Sequence, residues 1–221
     1  MALGLSSIAR GYGKKVKALL TNMDQPLGRY AGNSLEVDEC LQILRNDSAT
    51  GSALQRQMIH DTRELSLQLA AQMLLLGGAD KTIQGAYKMA EAALDSGKAY
   101  EKFELLCQIH QGRLSELPQP KHQLNILADE AGIIQGFQTE KIGLVGIQIK
   151  AGRAVTTDKI EPTAGIEFHQ RIGAKIQKGD ILFTLHGADK DLLSTVVAHL
   201  KATVVLGNMP VAPTKLIWKE I

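Results

Sequence analysis

Residues 24–39 read DQPLGRYAGNSLEVDE, a run whose residue types and spacing could do chemistry. A turn around Pro26 and Gly28 leads to a Gly32-Asn33 pair that opens a helix with acidic residues in its first turns. Carbonyls released by an irregular turn can point one way, and a carboxylate one helical turn in can meet them. Backbone oxygens with one carboxylate suit a hard cation. The plainer reading is that such acids only complement the helix dipole. On chemistry alone both readings stay open.

Other segments offer less. Gly51-Ser52-Ala53 is an isolated Gly-Ser pair with no following Gly-Gly or Lys, so it makes no phosphate cradle. Gly77-Gly78-Ala79-Asp80-Lys81 reads as a helix-to-helix turn with a plain C-cap. His169 and His186 have no Ser, Cys or carboxylate at triad spacing and read as structural. His60 and His110 read as surface or helix-end residues.

Composition excludes several classes. Hydrophobic residues make up 44% of the chain, enough to bury a core, so neither disorder nor a fibre fits. Aromatics are only 4%, which argues against a stacking platform for single-stranded nucleic acid. Net charge is +2 with the signs interleaved, and Lys14, Lys15 and Lys17 form too small a cluster for a nucleic-acid footprint. No apolar run is long enough to cross a bilayer and no signal peptide follows Met1, so neither nucleic acid nor membrane is an expected partner. Cys40 and Cys107 lack ligand spacing; buried free thiols in a reducing cytoplasm are the economical expectation.

The elements that must position these residues fall into two textures. Val16 to Thr21 is a short apolar run, as in a buried strand of an α/β sheet. Asn33 and Glu36 approximate a capping box, after which Val37, Cys40, Leu41 and Leu44 form one buried stripe. Asp61 and Glu64 repeat the spacing before a second helix with Leu65, Leu69 and Met73 on one face, ended by Gly77-Gly78. A third helix runs from Asp80 to about Asp95, and a fourth carries Phe103 and Leu106 and stops at Gly112. The proline-containing stretch 115–122 reads as a linker. Beyond it, short β-type runs appear at 165–168, 181–185, 203–206 and 215–218, while 142–149 suits either a strand or a helix. The expected fold class is α/β. Residues 1–115 would be part of a mixed α/β sheet domain, and residues 125–221 an α+β, barrel-sandwich-like domain.

Two stretches carry a family resemblance. ALLTNMDQPLGRYAGNSLEV, from Ala18 to Val37, resembles the signature of the thymidine and pyrimidine-nucleoside phosphorylases. AGRAVTTDKIEPTAGIEFHQRIGAKIQKGDILFTLH, from Ala151 to His186, is similar to the carboxyl-terminal domain of that family. The resemblance covers nearly the whole chain as the carboxyl-terminal half of a member. It departs at Asn22, where the family usually has Asp, and at Cys40, where it often has Ala.

The resemblance implies phosphorolysis of a pyrimidine nucleoside to the free base and a (deoxy)ribose 1-phosphate, with inorganic phosphate as co-substrate. It also implies a potassium ion whose ligands match the carbonyls of Leu27 and Tyr30 and the carboxylate of Glu39. The family's phosphate loop and its Arg/Ser/Lys clamp lie upstream of the matched part, so no catalytic or substrate-binding residue is expected here. The chain opens like the end of a family helix, as a fragment or one product of a split gene would. An inactive lone chain and a split-subunit partner are therefore expected. A homodimer is implied for the family, although its dimer-forming helical domain is largely absent. The alternative is a non-catalytic structural or carrier module, since Thr157-Asp158-Lys159-Ile160 resembles the Asp-Lys hairpin of lipoyl domains.

Overall fold

The computed structural model describes residues 1–47, 53–213 and 215–221; Gly51 and Ser52 of the Gly-Ser pair lie outside them. The chain runs α1 (Ala2–Gly11), β1 (Leu19–Thr21), β2 (Tyr30–Ala31), α2 (Asn33–Leu44), α3 (Ala53–Leu76), α4 (Ile83–Asp95) and α5 (Lys98–Ile109). After one 3-10 turn at Leu114–Glu116 come β3 (His122–Leu127), β4 (Gly132–Phe137), α6 (Thr139–Gln148), β5 (Gly165–Phe168), β6 (Lys175–Ile176) and β7 (Ile181–Gly187). The chain then finishes with α7 (Lys190–Thr195), α8 (Val197–Lys201), β8 (Val204–Gly207) and β9 (Ile217–Glu220). The fold is mixed α/β, as expected.

The strands form three small sheets, ordered β1-β9, β2-β5-β7-β3 and β6-β4-β8, and every pairing is antiparallel. Two of the pairings join early and late sequence. β1 pairs β9, and β2 is an edge strand on the sheet built by β5, β7 and β3. The expectation of a buried α/β strand at 16–21 is therefore corrected: only Leu19–Thr21 is strand, and Leu20 is exposed.

Alternation explains the four-stranded sheet. Ile126, Ile166, Phe168, Phe183 and Leu185 point into one apolar core with α6, α7 and α8, all nearly inaccessible. Phe168 and Phe183 meet edge to face, ring centroids 5.6 Å apart. Asn125, Glu167, Thr184 and His186 occupy the alternate positions and turn the other way. The ambiguous 142–149 stretch resolves as α6, whose Ile142 and Val145 are buried in this core.

The helical layer has its own small core of Ile43, Ile59, Leu67 and Leu94. Here several expected faces are corrected. α3 starts well before Asp61, so Asp61 and Glu64 lie inside the helix rather than at its cap. Its buried residues include Ile59, Leu67 and Ala71, whereas Leu69 and Met73 face solvent. On α2, Cys40 is exposed while Glu39 and Leu41 on either side are buried, and Cys107 is only half-buried. The expected buried thiols are thus absent from the core. The expected capping box at α2 does not form: the N-cap is Gly32, which has no side chain to accept a bond, and only its N–H donates, to Glu36 Oε1 at 2.9 Å. Asn33 instead donates through its side chain to the Ala151 carbonyl. The expected stop at Gly77-Gly78 holds, with Gly78 at φ +76° and Ala79 N–H returning to the Leu74 carbonyl.

Phe183→Ala should destabilise the chain by about 3–5 kcal/mol, because a fully buried ring leaves a cavity in a close-packed core. Leu106→Ala, on the exposed face of α5, should stay within about 0.5 kcal/mol of the parent. Urea unfolding followed by circular dichroism measures both.

Candidate functional site

The loop that the sequence singles out is also where the open space of the molecule converges. Clefts of about 580 and 440 Å³ open on either side of it, and both are walled by Asn22, Gln25, Pro26 and Leu27. The first continues along α3 and the turn at Arg171 to Ala174, and the second along Thr139, Ile142, Gly143, Gly146 and Ile147 of α6. Two contacts pin the loop's entrance. Gln25 Oε1 accepts the Ile172 N–H at 3.0 Å, and Asp61 of α3 pairs with Arg171 at 3.0 Å.

Glu39 is the chemical centre. It is 4% exposed. Its Oε2 accepts the Arg29 N–H at 2.7 Å and its Oε1 the Thr62 hydroxyl at 2.8 Å. The Tyr30 N–H also faces it and adds a weak lowering effect on its pKa. Burial pushes the carboxyl's pKa up, and these hydrogen bonds only partly oppose that. Among the described residues no Lys, Arg or His forms an ion pair with it.

The loop is shaped around this carboxylate. Gly28 has φ +74°, and a Cβ there would sit 2.2 Å from Glu39 Oε1 and 2.6 Å from Thr62 Oγ1. Glycine is thus required twice, for the left-handed backbone and for the close approach. Gly32 has φ +153°, and a Cβ there would fall 2.4 Å from the Ala164 carbonyl oxygen. That contact lets β2 lie against β5.

Register decides where Tyr30 points. Tyr30 stands opposite Glu167, while the Phe168 N–H donates to the Arg29 carbonyl at 2.8 Å. In an antiparallel ladder that alternation turns the backbone groups of Tyr30 away from β5, toward the open edge of β2. Its N–H meets Glu39 there, and the carbonyl of the same extended residue faces the same side. The described residues contain no cluster of three or more His, Cys, Asp and Glu able to hold a metal ion. The loop offers instead one unpaired buried carboxylate, with lone pairs left beyond its hydrogen bonds, beside backbone oxygens. A buried carboxylate on the side to which the Tyr30 carbonyl turns is compatible in donor type with a hard cation.

Sequence reasoning missed a second polar cluster. His169 and His186 do have a carboxylate neighbour, Glu167, which lies two residues before His169 and which the β5/β7 register brings to His186. His186 Nε2 lies 3.1 Å from Glu167 Oε2 and His169 Nε2 lies 3.5 Å from Oε1, while Arg29 pairs with Oε1 from the loop. Glu167 was not singled out; its alternation with His169 along a strand was the available signal. Burial raises the pKa of Glu167, but the His186 hydrogen bond and the Arg29 and His169 charges outweigh it and the net shift is downward. Burial depresses His169, against the attraction of Glu167. His169 Nε2 also meets the Thr184 hydroxyl at 2.8 Å, so each histidine is tied into the sheet's polar face. Lys159 is exposed, but it sits in a stretch without strand from Ile149 to Ala164, so the lipoyl-type hairpin does not form.

Because burial raises the Glu39 pKa, the folded chain binds more protons than the unfolded one above the ordinary value of 4.5. Stability from this residue therefore falls as pH rises through that window. Glu39→Gln removes the effect. In cation-free buffer its melting temperature relative to the parent should climb between pH 5 and pH 7.5, as read by differential scanning calorimetry.

Comparison with known proteins follows this geometry. Residues 3–100 match the glycosyl transferase family a/b domain, and residues 133–207 match the pyrimidine nucleoside phosphorylase C-terminal domain. Pyrimidine-nucleoside phosphorylases from Staphylococcus aureus strains bovine RF122 / ET3-1 and USA300 are each 30% identical to this chain over 227 aligned residues. The alignments take in 100% of this chain and 50% of each relative, so the chain spans half the length of the curated relatives it matches. With both domain types matched in order and the whole chain aligned, the protein belongs to the pyrimidine-nucleoside phosphorylase family and corresponds to the carboxyl-terminal half of its members.

Proposed function

We propose that this chain serves as the carboxyl-terminal half of a pyrimidine-nucleoside phosphorylase, supplying the cation-supporting loop of the active site. The reaction is cleavage of a pyrimidine nucleoside by inorganic phosphate, giving the base and a (deoxy)ribose 1-phosphate. A buried Glu39 carboxylate, unpaired by any basic side chain among the described residues and wrapped by the 27–30 backbone, carries the reading. A potassium ion bound there would contribute positive charge beside the phosphate. Leu27, Tyr30 and Glu39 would hold it, and Gly28 keeps the backbone close enough to do so.

The groups that hold phosphate and base belong to the half of the relatives that this chain does not span. Holding and aiming an oxyanion needs preorganised N–H, hydroxyl and cationic donors, and the loop offers mainly acceptors. Completion by an amino-terminal half, in cis or as a separate subunit, follows. Exposed apolar side chains support a docking role. On α1, Leu3, Leu5 and Ile8 are each more than 60% exposed, and Ser6 is the buried residue of that helix. β1 pairs on one side alone, leaving an edge to be extended. No helix among the described residues is long and apolar enough to cross a membrane.

The pure chain should give no phosphate-dependent release of thymine or uracil above buffer, measured by chromatography. Addition of an amino-terminal half should restore it, and turnover by the chain alone would overturn the reading. Separately, potassium chloride should raise the melting temperature over the same concentration of choline chloride. At about tenfold over the dissociation constant the gain is about 1.4 kcal/mol, or about 3–5 °C for a chain of this size. Glu39→Gln should abolish that gain.

A further inference from the structure

Arg29 stands between two of the proposed cation ligands, Leu27 and Tyr30, and is held at three points. Its N–H donates to Glu39, its carbonyl accepts from Phe168 N–H, and its guanidinium leaves the loop to pair with Glu167 on β5. The guanidinium also lies over the Tyr30 ring, 5.2 Å from its centroid. One residue therefore connects the carboxylate, the edge of the sheet and the loop backbone.

Glu167 is itself immobilised. Its side chain is 10% exposed, with His186 Nε2 at 3.1 Å on one oxygen and His169 Nε2 at 3.5 Å on the other. His169 Nε2 continues to Thr184 Oγ1 at 2.8 Å, and that hydroxyl donates to Asn125 Oδ1 at 2.9 Å. The network thus crosses β5, β7 and β3 on the face opposite the apolar core. β2, in contrast, has only two residues in register, Tyr30 against Glu167 and Ala31 against Ile166. So short an edge strand fixes its register weakly by backbone pairing alone. Side chains add to that hold: Gln25 on Ile172 and Asn33 on Ala151 at the two ends, and Arg29 on Glu167 next to the strand itself.

From this we infer that Glu167 is a positioning residue for the cation loop, holding Arg29 so that the carbonyls of Leu27 and Tyr30 stay aligned with the Glu39 carboxylate. The inference rests on the reading of that loop under the proposed function. It adds a group from the carboxyl-terminal domain that touches neither cation nor substrate. A buried ion pair is weak evidence for global stability, so what it is expected to control is local geometry.

The test is amide hydrogen exchange by NMR on the intact chain and on Glu167→Gln. The amides of Arg29, which bonds to Glu39, and of Tyr30, which faces it, should exchange at least tenfold faster in the variant. Ile126 and Leu185, in β3 and β7, should stay within twofold. The potassium-dependent gain in melting temperature should fall by half or more. A uniform acceleration at all four amides would mean general destabilisation, and unchanged exchange at Arg29 and Tyr30 would mean no positioning; either overturns the inference. Should Glu167→Gln fail to fold, Arg29→Gln removes the pair from its more exposed side and must show the same local pattern. The exchange readout needs neither potassium nor nucleoside. A parent chain without a potassium response would therefore sink the proposed function while still leaving the role of Glu167 decided by its own result.

Discussion

A carboxylate taken out of water without a cationic partner is unfavourable unless other dipoles replace its hydration, and the candidate site is organised around meeting that requirement for Glu39. The replacement comes from the Arg29 N–H and the Thr62 hydroxyl, with the Tyr30 N–H facing the same group. Only a backbone without a side chain at position 28 can bring the loop that near. The result is a buried negative charge enclosed by main chain, with its pKa raised by the burial. Such an arrangement is costly as a stability device; under the proposed function it is the fixed part of a cation cradle.

The same loop joins the early and late parts of the chain. β2 adds to the edge of β5 because Gly32 and Gly165 let two backbones approach closely: a Cβ at Gly165 would meet the Ala31 carbonyl oxygen at 2.7 Å. Behind this contact the four-stranded sheet presents two different faces. Its apolar face is filled by Ile166, Phe168, Phe183 and Leu185, and its polar face carries the Glu167, His186 and Thr184 network. Period-2 alternation therefore assigns packing to one side and loop anchoring to the other. The helices α3, α4 and α5 contribute a smaller core and, through Thr62 and Asp61, two further supports for the loop region.

The distribution of apolar surface fits the relation to longer relatives. The β2-β5-β7-β3 sheet and helices α6 to α8 close over a well-filled core. By comparison α1 and part of α3 leave Leu3, Leu5, Ile8, Leu69 and Met73 open. Amphipathic helices with their apolar stripe in water are unusual for a self-sufficient domain. They are reasonable for one that another polypeptide segment covers.

What the sequence determined by itself was mostly local. The turn at Pro26 to Gly28, the helix after Gly32, the stop at Gly77-Gly78 and the strands at 165–168 and 181–185, the latter running on to Gly187, all follow from glycine placement and short-range periodicity. The choice of Glu39 came instead from the family resemblance, because spacing alone does not single out one carboxylate among Glu36, Asp38 and Glu39. Tertiary structure decided which faces are buried. Leu65, Leu69 and Met73 look like a core stripe, yet α3 buries Ile59, Leu67 and Ala71, since the identity of a helix's buried side depends on what packs against it. It also decided that Glu167 meets Arg29 and His186. Residues 138 positions apart are joined by strand register and by the close approach of two glycines, and neither has a signature in local sequence. Long-range pairing depends on global geometry, and that is why the loop could be read from the chain while its anchor could not.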